Sequence, residues 1–300
     1  GFQSVGKQHL KPHGCMYTRV SGIWQTVWLE SVPSTYITGY KVVTDIDAGT
    51  VAVTLQTQGN LMGAKAEIEV LRDGKTQARA KVTAWNRPVI LKIKDPQLWS
   101  PDTPTLYDLR LTLDAAGGKD TAGGYFGMRK IEWRKDAKGV PRFFFNNRQL
   151  FLQGTLDQGW WPDGLLTPPS DDAMAFDITL LKRCGFNMMR KPIKIEPLRY
   201  YYLCDKLGLM VWQDMVSGWQ DGENRYALYR QELKGMIDLL QAIPSIVMWV
   251  PYNEEWGQPG KAKTNMTQSW VKRYDPTRLV NGPSGWTDHG VGDTKYMHKY

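Results

Sequence analysis

From about Tyr36 to Trp133 the chain alternates polar and apolar residues in short runs separated by Gly, Asp, Asn and Pro. Val51-Ala-Val-Thr-Leu55, Ala66-Glu-Ile-Glu-Val-Leu71 and Tyr107-Asp-Leu-Arg-Leu-Thr-Leu113 are examples. A period of two puts every second side chain on one face, so each run predicts a half-buried strand. Arg72-Asp73-Gly74-Lys75 places an Asp-Gly pair between two runs, and that pair suits the positive φ of a two-residue hairpin turn. Several strands over ~100 residues predict an antiparallel sandwich of immunoglobulin-like type across 33–134. Ahead of it, Gly22-Ile-Trp-Gln-Thr-Val-Trp-Leu-Glu30 reads as a strand with no partner run nearby. That predicts 1–32 as the last piece of another β domain.

After Phe143 the rhythm changes. Apolar runs at Leu150–Gln153, Phe186–Arg190, Leu209–Asp214, Ile246–Val250 and Leu279–Val280 alternate with helical stretches, and a sixth strand is expected near Tyr296. Ser170 before Asp171 and Asp172 reads as a helix N-cap with acids in the first turn, and Gly185 as the stop. Further helices are predicted over about Pro197–Leu207, Tyr226–Leu240 and Thr267–Arg273. Near-continuous apolar strands joined by helices predict a parallel sheet covered on both faces. Polar residues sit just past successive strand ends: Asp157 and Gln158, Arg190 and Lys191, Asp214, Asn253 and Glu254, and His298. That is the habit of a (β/α)8 barrel, and no Gly-rich phosphate loop follows the first strand. A complete barrel takes about 250 residues, so 135–300 is expected to hold its N-terminal part, truncated near strand 6. The fold class is multidomain β plus α/β: an immunoglobulin-like sandwich followed by an incomplete TIM barrel.

Composition narrows the picture. Hydrophobic residues make up 42% and charged residues 23% of 300, which excludes disorder, collagen and coiled coil as the main character. No stretch approaches the roughly 18 uninterrupted apolar residues of a membrane span, so no membrane partner is expected. Gly1 opens the chain without an apolar leader segment. The compartment of what reads as a bacterial protein stays open between cytoplasm and periplasm or secretion. The net charge of +8 is scattered without a basic run, so a nucleic-acid partner is not expected. Cys15, Cys184 and Cys204 include no CxxC pair, which argues against a disulfide framework or a zinc site. His9 and His13 have a metal-ligand spacing, but Pro12 and Gly14 break the helix it would need, and no metal or organic cofactor is expected.

Trp249-Val-Pro-Tyr-Asn253-Glu254-Glu255-Trp256-Gly257 carries the sharpest chemistry. Hydrolysing a glycosidic bond needs one carboxyl group to protonate the leaving oxygen and another to attack or activate water. An apolar, Trp-lined setting helps the acid keep its proton. Asn253 offers an amide to a sugar hydroxyl, and Glu255 is expected to point away from Glu254. A capping pair on a solvent loop is the plainer reading of the same residues. Asp157 with Trp160 and Trp161 offers a polar contact and a stacking wall, or a turn whose aromatics cover the barrel mouth. Arg190 and Lys191 could hold a substrate carboxylate or hydroxyls, or pair internally with Asp157 or Asp214. Trp212 reads as core, and Asp214 is open to either role.

Four segments together resemble glycoside hydrolase family 2, the group of β-galactosidases, β-glucuronidases and β-mannosidases. Gly22–Glu30 is similar to the end of that family's N-terminal jelly-roll domain. Leu98-Trp-Ser-Pro-Asp-Thr-Pro-Thr-Leu-Tyr107, with Gly124-Tyr-Phe-Gly-Met-Arg-Lys-Ile-Glu132, resembles the close of its immunoglobulin-like domain. Phe145-Asn-Asn-Arg-Gln-Leu-Phe-Leu-Gln-Gly154 resembles the approach to its barrel, and Pro244 through Glu254 its acid/base strand. The resemblance implies a retaining exo-β-glycosidase, β-galactosidase-like, with Glu254 as general acid/base and Asn253 on the substrate 2-OH. It implies substrate contacts for Asp157, Arg190, Lys191, Asp214, Trp256 and His298, and a homo-oligomer as a possible form of the full-length protein. Lys191-Pro192 departs from the family, which often has His after that Arg. The family's nucleophile is a Glu ending the seventh strand, and neither Glu255, Asp214 nor Asp157 matches its motif. The 300-residue piece is therefore expected to be inactive alone. A non-catalytic carbohydrate-binding or remnant protein is the rival. The charge and Arg190-Lys191 also hint at a β-glucuronidase-type enzyme for acidic sugars.

Overall fold

The computed structural model describes residues 3–218, 222–285 and 287–299. It forms two compact units. One holds Gly1–Thr26, Ile131–Leu240 and Ser245–Tyr300; the other holds Val27–Lys130 and Gln241–Pro244. The first two strands, β1 (Gln8–His9) and β2 (Tyr17–Thr18), pair in parallel within the larger unit. The strand expected over 22–30 does not form. Its apolar side chains Ile23, Val27, Trp28 and Leu29 are exposed. A strand needs a neighbour to take up its backbone hydrogen bonds, and none lies alongside this stretch among the described residues.

The smaller unit contains β3 (Tyr36–Asp45), β4 (Thr50–Gln58), β5 (Lys65–Arg72), β6 (Lys75–Lys81), β7 (Val89–Lys92), β8 (Tyr107–Ala115) and β9 (Gly118–Phe126). They form two antiparallel sheets in the orders β3-β4-β7 and β6-β5-β8-β9. Alternation does the sorting: Tyr107, Leu109, Leu111 and Leu113 of β8 are buried, while Asp108 and Arg110 between them are exposed. Each such buried side chain stabilises by about 1.5–3 kcal/mol. Val51, Val53 and Leu55 of β4 join Ile68 and Val70 of β5 in the same core. The Asp-Gly turn forms as expected, with Arg72 paired to Lys75 and positive φ at Asp73 (51°) and Gly74 (73°).

The sandwich strands end at Phe126, short of the boundary expected at 134. Strand β10 (Ile131–Lys135) pairs with β11 (Pro141–Phe145), which pairs with β12 (Arg148–Gln149), in a separate three-stranded sheet of the larger unit. Phe143 and Phe145 supply its buried side.

The remainder is a parallel sheet of five strands in chain order: β13 (Gly154–Leu156), β14 (Met188–Lys191), β15 (Met210–Asp214), β16 (Ile246–Val250) and β17 (Leu279–Val280). The intervening helices are α1 (Asp171–Arg183), α2 (Leu198–Leu207), α3 (Glu223–Leu240) and α4 (Lys261–Tyr274). A doubly wound sheet reverses its strand order at a switch point; a barrel does not, and neither does this sheet. Ser170 caps α1 by accepting the Ala173 N–H, and Gly208 ends α2 in the left-handed region at φ 77°. The first strand forms at 154–156 rather than 150–153. Gly154 sets that register, because a Cβ there would lie 2.1 Å from the Met188 carbonyl oxygen. The sixth strand is reduced to a single parallel bridge between Asn281 and Thr294. Among the described residues no helix is long and apolar enough to cross a membrane.

Candidate active site

Adjacent residues on a strand face opposite sides, and at the end of β14 this separates Arg190 from Lys191 into two networks. Arg190 grips Asp214 at the end of β15 with both arms of its fork, Nε to Oδ1 at 2.9 Å and Nη2 to Oδ2 at 2.7 Å. The same Nη2 donates to Asn253 Oδ1 at 2.9 Å and Ser284 Oγ at 2.9 Å, while Nη1 meets His298 Nε2 at 3.3 Å. One guanidinium thus ties together Asp214 at the end of β15, Asn253 beyond β16, and Ser284 and His298 beyond β17. Burial opposes its charge, but the Asp214 carboxylate and its hydrogen bonds more than offset this and hold Arg190 above its ordinary pKa.

Beyond β16 the chain turns sharply. Glu254 adopts φ 57° and ψ −179°, a region essentially reserved for glycine that costs about 1–3 kcal/mol. Its N–H donates to the Ser284 carbonyl at 2.8 Å, and Asn253 bridges the same residue in parallel register. Gly285, at φ +104°, packs directly on the acid: a Cβ there would lie 3.2 Å from Glu254 Cγ and 3.4 Å from its Cα. The turn aims the carboxyl inward. Oε2 accepts the Trp256 indole N–H at 2.6 Å and the Asn253 amide at 3.3 Å, and Oε1 lies 2.8 Å from His298 Nδ1. Glu254 is 9% exposed, whereas neighbouring Glu255 is exposed. Tyr296 sits edge-on to both Trp212, at 5.8 Å, and His298, at 5.2 Å.

On the other face, Lys191 Nζ lies 2.6 Å from Asp157 Oδ2 and 2.9 Å from Glu196 Oε1, with no exposed surface of its own. Asp157 also accepts from Tyr200 Oη and the Gly159 N–H, both at 2.8 Å. Burial alone would raise the Asp157 carboxyl; the Lys191 charge and these donors overcome it and leave the pKa below the usual value. Lys194 lies 3.0 Å from Glu196, and there burial prevails and lowers the ammonium. Trp160 stacks on Tyr17 at 4.6 Å.

The sequence-predicted residues therefore divide. Glu254, Asn253, Trp256, Arg190, Asp214 and His298 come together. Asp157 and Lys191 form the second group. The Lys191 and Asp214 side chains, expected to contact substrate, are fully buried and lie against Asp157 and Arg190 respectively. Arg190, 3% exposed, is likewise committed internally. Ser284 and Gly285, which follow the end of β17, are not singled out by the sequence, and Tyr296 is read there only as marking a sixth strand. Glu196, on the link between β14 and α2, is likewise not singled out.

Among the described residues no group of three or more His, Cys, Asp and Glu is placed to hold a metal. His9 and His13 instead each bond the Lys11 carbonyl through Nδ1 at 2.9 Å. Cys15 and Cys184 are exposed and Cys204 is buried, and all three are free.

In chain order, an antiparallel sandwich precedes a parallel sheet of barrel type that carries the Glu254 carboxyl group beyond the end of β16. The chain belongs to glycosyl hydrolases family 2: the family model matches residues 35–129, and its TIM barrel domain matches residues 141–294. It is 27% identical over 250 residues to a putative beta-glucuronidase of Formosa agariphila, covering 79% of this chain and 23% of that protein. A beta-galactosidase of Lactococcus lactis is 26% identical over 283 residues, covering 89% of this chain and 27% of the relative. Beta-mannosidase B of Thermothelomyces thermophilus is 27% identical over 288 residues, covering 86% and 33%. The chain thus spans about a quarter to a third of the length of these curated relatives. Parabacteroides merdae beta-glucuronidase shares the fold with a TM-score of 0.73 at 21% identity, over 85% of this chain and 36% of that one. Bacteroides uniformis beta-glucuronidase 3 does so with a TM-score of 0.72 at 24% identity, over 83% and 33%.

Proposed function

We propose that the whole protein is a retaining exo-β-glycosidase in which Glu254 is the general acid/base. The observation that carries this reading is the Glu254 carboxyl, held in a strained turn between Trp256, Asn253 and His298. In the first step Glu254 gives its proton to the leaving glycosidic oxygen while a second carboxylate attacks the anomeric carbon. In the second step water attacks the anomeric carbon and displaces the second carboxylate while Glu254 takes the water's proton, so the sugar leaves with its configuration retained. Asn253 offers its amide to the substrate 2-OH, and Trp256 borders the sugar. The second carboxylate must lie about 5–5.5 Å from the first. Asp214 is bound to Arg190, Asp157 is bound to Lys191, and Glu255 faces away, so the nucleophile is assigned to a carboxylate outside residues 1–300. Residues 1–32 are assigned to the end of a sugar-binding jelly roll, on the similarity of 22–30 to that domain.

The sugar is proposed to be neutral and galactoside-like. The basic pair that hinted at uronides is already neutralised, Arg190 by Asp214 and Lys191 by Asp157 and Glu196. A panel of aryl β-galactoside, β-mannoside and β-glucuronide tests this in the full-length protein, and fastest turnover of the uronide overturns it. The role of Glu254 is tested with Glu254→Gln. Losing the acid should lower turnover of poor-leaving-group glycosides by about 10²–10⁴-fold, with a smaller loss for activated aryl glycosides and binding retained. Unchanged turnover of the poor leaving groups refutes the assignment and leaves the carbohydrate-binding reading in its place.

A further inference from the structure

His298 stands between two groups whose hydrogen-bonding capacities differ. Its Nε2 lies 3.3 Å from Arg190 Nη1, and its Nδ1 lies 2.8 Å from Glu254 Oε1. A guanidinium has only donors, so Nε2 must accept. In the neutral ring the other nitrogen then carries the hydrogen. The orientation of Arg190 is itself secured by the paired bonds to Asp214. Among the described residues, the charged and titratable groups around the imidazole include Glu254 after β16, Arg190 of β14 with Asp214 of β15 behind it, and Tyr296, whose ring is 5.2 Å away. Gly285 lies beside the pair, where a Cβ would come within 3.2 Å of Glu254 Cγ.

We propose that His298 is a positioning residue for the acid/base: Arg190 locks its imidazole as the Nδ1–H tautomer, which donates to Glu254 and favours the carboxylate. This inference rests on the proposed role of Glu254. The donor stabilises the form that Glu254 reaches after giving its proton to the leaving group, and the form that later accepts a proton from water. His298 keeps its own hydrogen throughout, so only Glu254 exchanges protons with substrate and water. The consequence is a limit on the alkaline side: with the donor present, Glu254 loses its proton at lower pH than it otherwise would.

The experiment is the pH dependence of kcat/KM for the full-length protein and three variants, on the aryl glycoside it turns over fastest. His298→Ala removes the donor. His298→Gln places its amide where Nε2 was and also loses the donor to Glu254. His298→Asn places an N–H close to the former Nδ1. The alkaline limb should move up by roughly one pH unit in His298→Ala and His298→Gln, and stay in place in His298→Asn. A purely structural role would lower rates without this pattern. An unmoved limb in His298→Ala, or an equal shift in His298→Asn, overturns the proposal. If His298→Ala does not fold, the contrast between His298→Gln and His298→Asn decides by the same criterion. Glu254→Gln serves as the control: full turnover of poor leaving groups by that variant overturns the acid/base reading itself, separately from the tautomer lock.

Discussion

Replacing Lys191 with Met isolates the buried ionic group behind β14. Its ammonium is fully buried, 2.6 Å from Asp157 and 2.9 Å from Glu196, and lies 4.3 Å over the Tyr200 ring. Lys191 and Lys194 balance Asp157 and Glu196; the substitution leaves one negative charge without a counterpart. Breaking a buried pair from one side costs about 3–5 kcal/mol. The low end applies here, about 3 kcal/mol, because Lys194 stays 3.0 Å from Glu196 and the Asp157 side chain is 25% exposed. In thermal melting that corresponds to a fall of roughly 6–12 °C. The pH dependence supplies a second readout. Asp157 is held below its ordinary pKa in the folded protein, so its contribution is present above the unfolded value and disappears as pH falls. The gap between wild type and Lys191→Met should therefore narrow as pH is lowered toward the carboxylate range near 4. Adding Asp157→Asn to Lys191→Met should recover part of the loss at neutral pH. A cost under about 1 kcal/mol, or a gap indifferent to pH, would refute the view of Lys191 as a counter-charge.

Gly285→Ala should lower kcat/KM by at least about tenfold with the fold retained, since the new Cβ would press on Glu254 Cγ from 3.2 Å and demand an unfavourable φ of +104°; melting and steady-state assays on the full-length protein check both halves. In the sandwich, hydrogen bonds from Thr76 and Arg79 lead in holding the Glu69 carboxyl down to about 2 from 4.5. Its stabilising effect is thus complete above about pH 4.5 and lost as pH falls toward 2. Glu69→Gln should accordingly lower the urea midpoint near neutral pH and bring it level with wild type near pH 2. Glu254→Gln and the His298 series complete the set, read as leaving-group dependence and as displacement of the alkaline limb.

Much of this fold is legible in the sequence wherever a strand carries its own boundary marks. Ile246–Val250 begins just after Pro244 and forms as read; Leu279–Val280 does likewise, and the Asp73-Gly74 hairpin closes on the residues that announce it. The failures share a cause. Residues 22–30 are apolar enough for a strand, yet strand formation depends on a neighbour that local pattern does not report. The first barrel strand shifts from 150–153 to 154–156 because its register is set by the backbone of β14 meeting Gly154, a contact 34 residues away in sequence. The stretch 131–135 alternates like a sandwich strand but pairs with Pro141–Phe145, and alternation carries no information about partner choice.

The candidate site shows the same division at the level of single side chains. A barrel delivers residues past its strand ends to one face, and Arg190, Asp214, Asn253, Glu254 and His298 meet there. Their roles depend on parity and burial. Met188 and Arg190 share one face of β14, and Arg190 is in register with Trp212, two residues before Asp214 on β15. The Arg190–Asp214 fork follows from that alignment. Lys191, one residue on, must turn to the opposite face, where Asp157 and Glu196 await it. Two adjacent cations that look like one substrate clamp in the sequence are thus separate devices. One ties together the groups beside Glu254, and the other pairs with the carboxylates of Asp157 and Glu196. Neither cation is therefore free to serve as the substrate clamp that the sequence suggests, because Arg190 already holds Asp214 and Lys191 already holds Asp157 and Glu196.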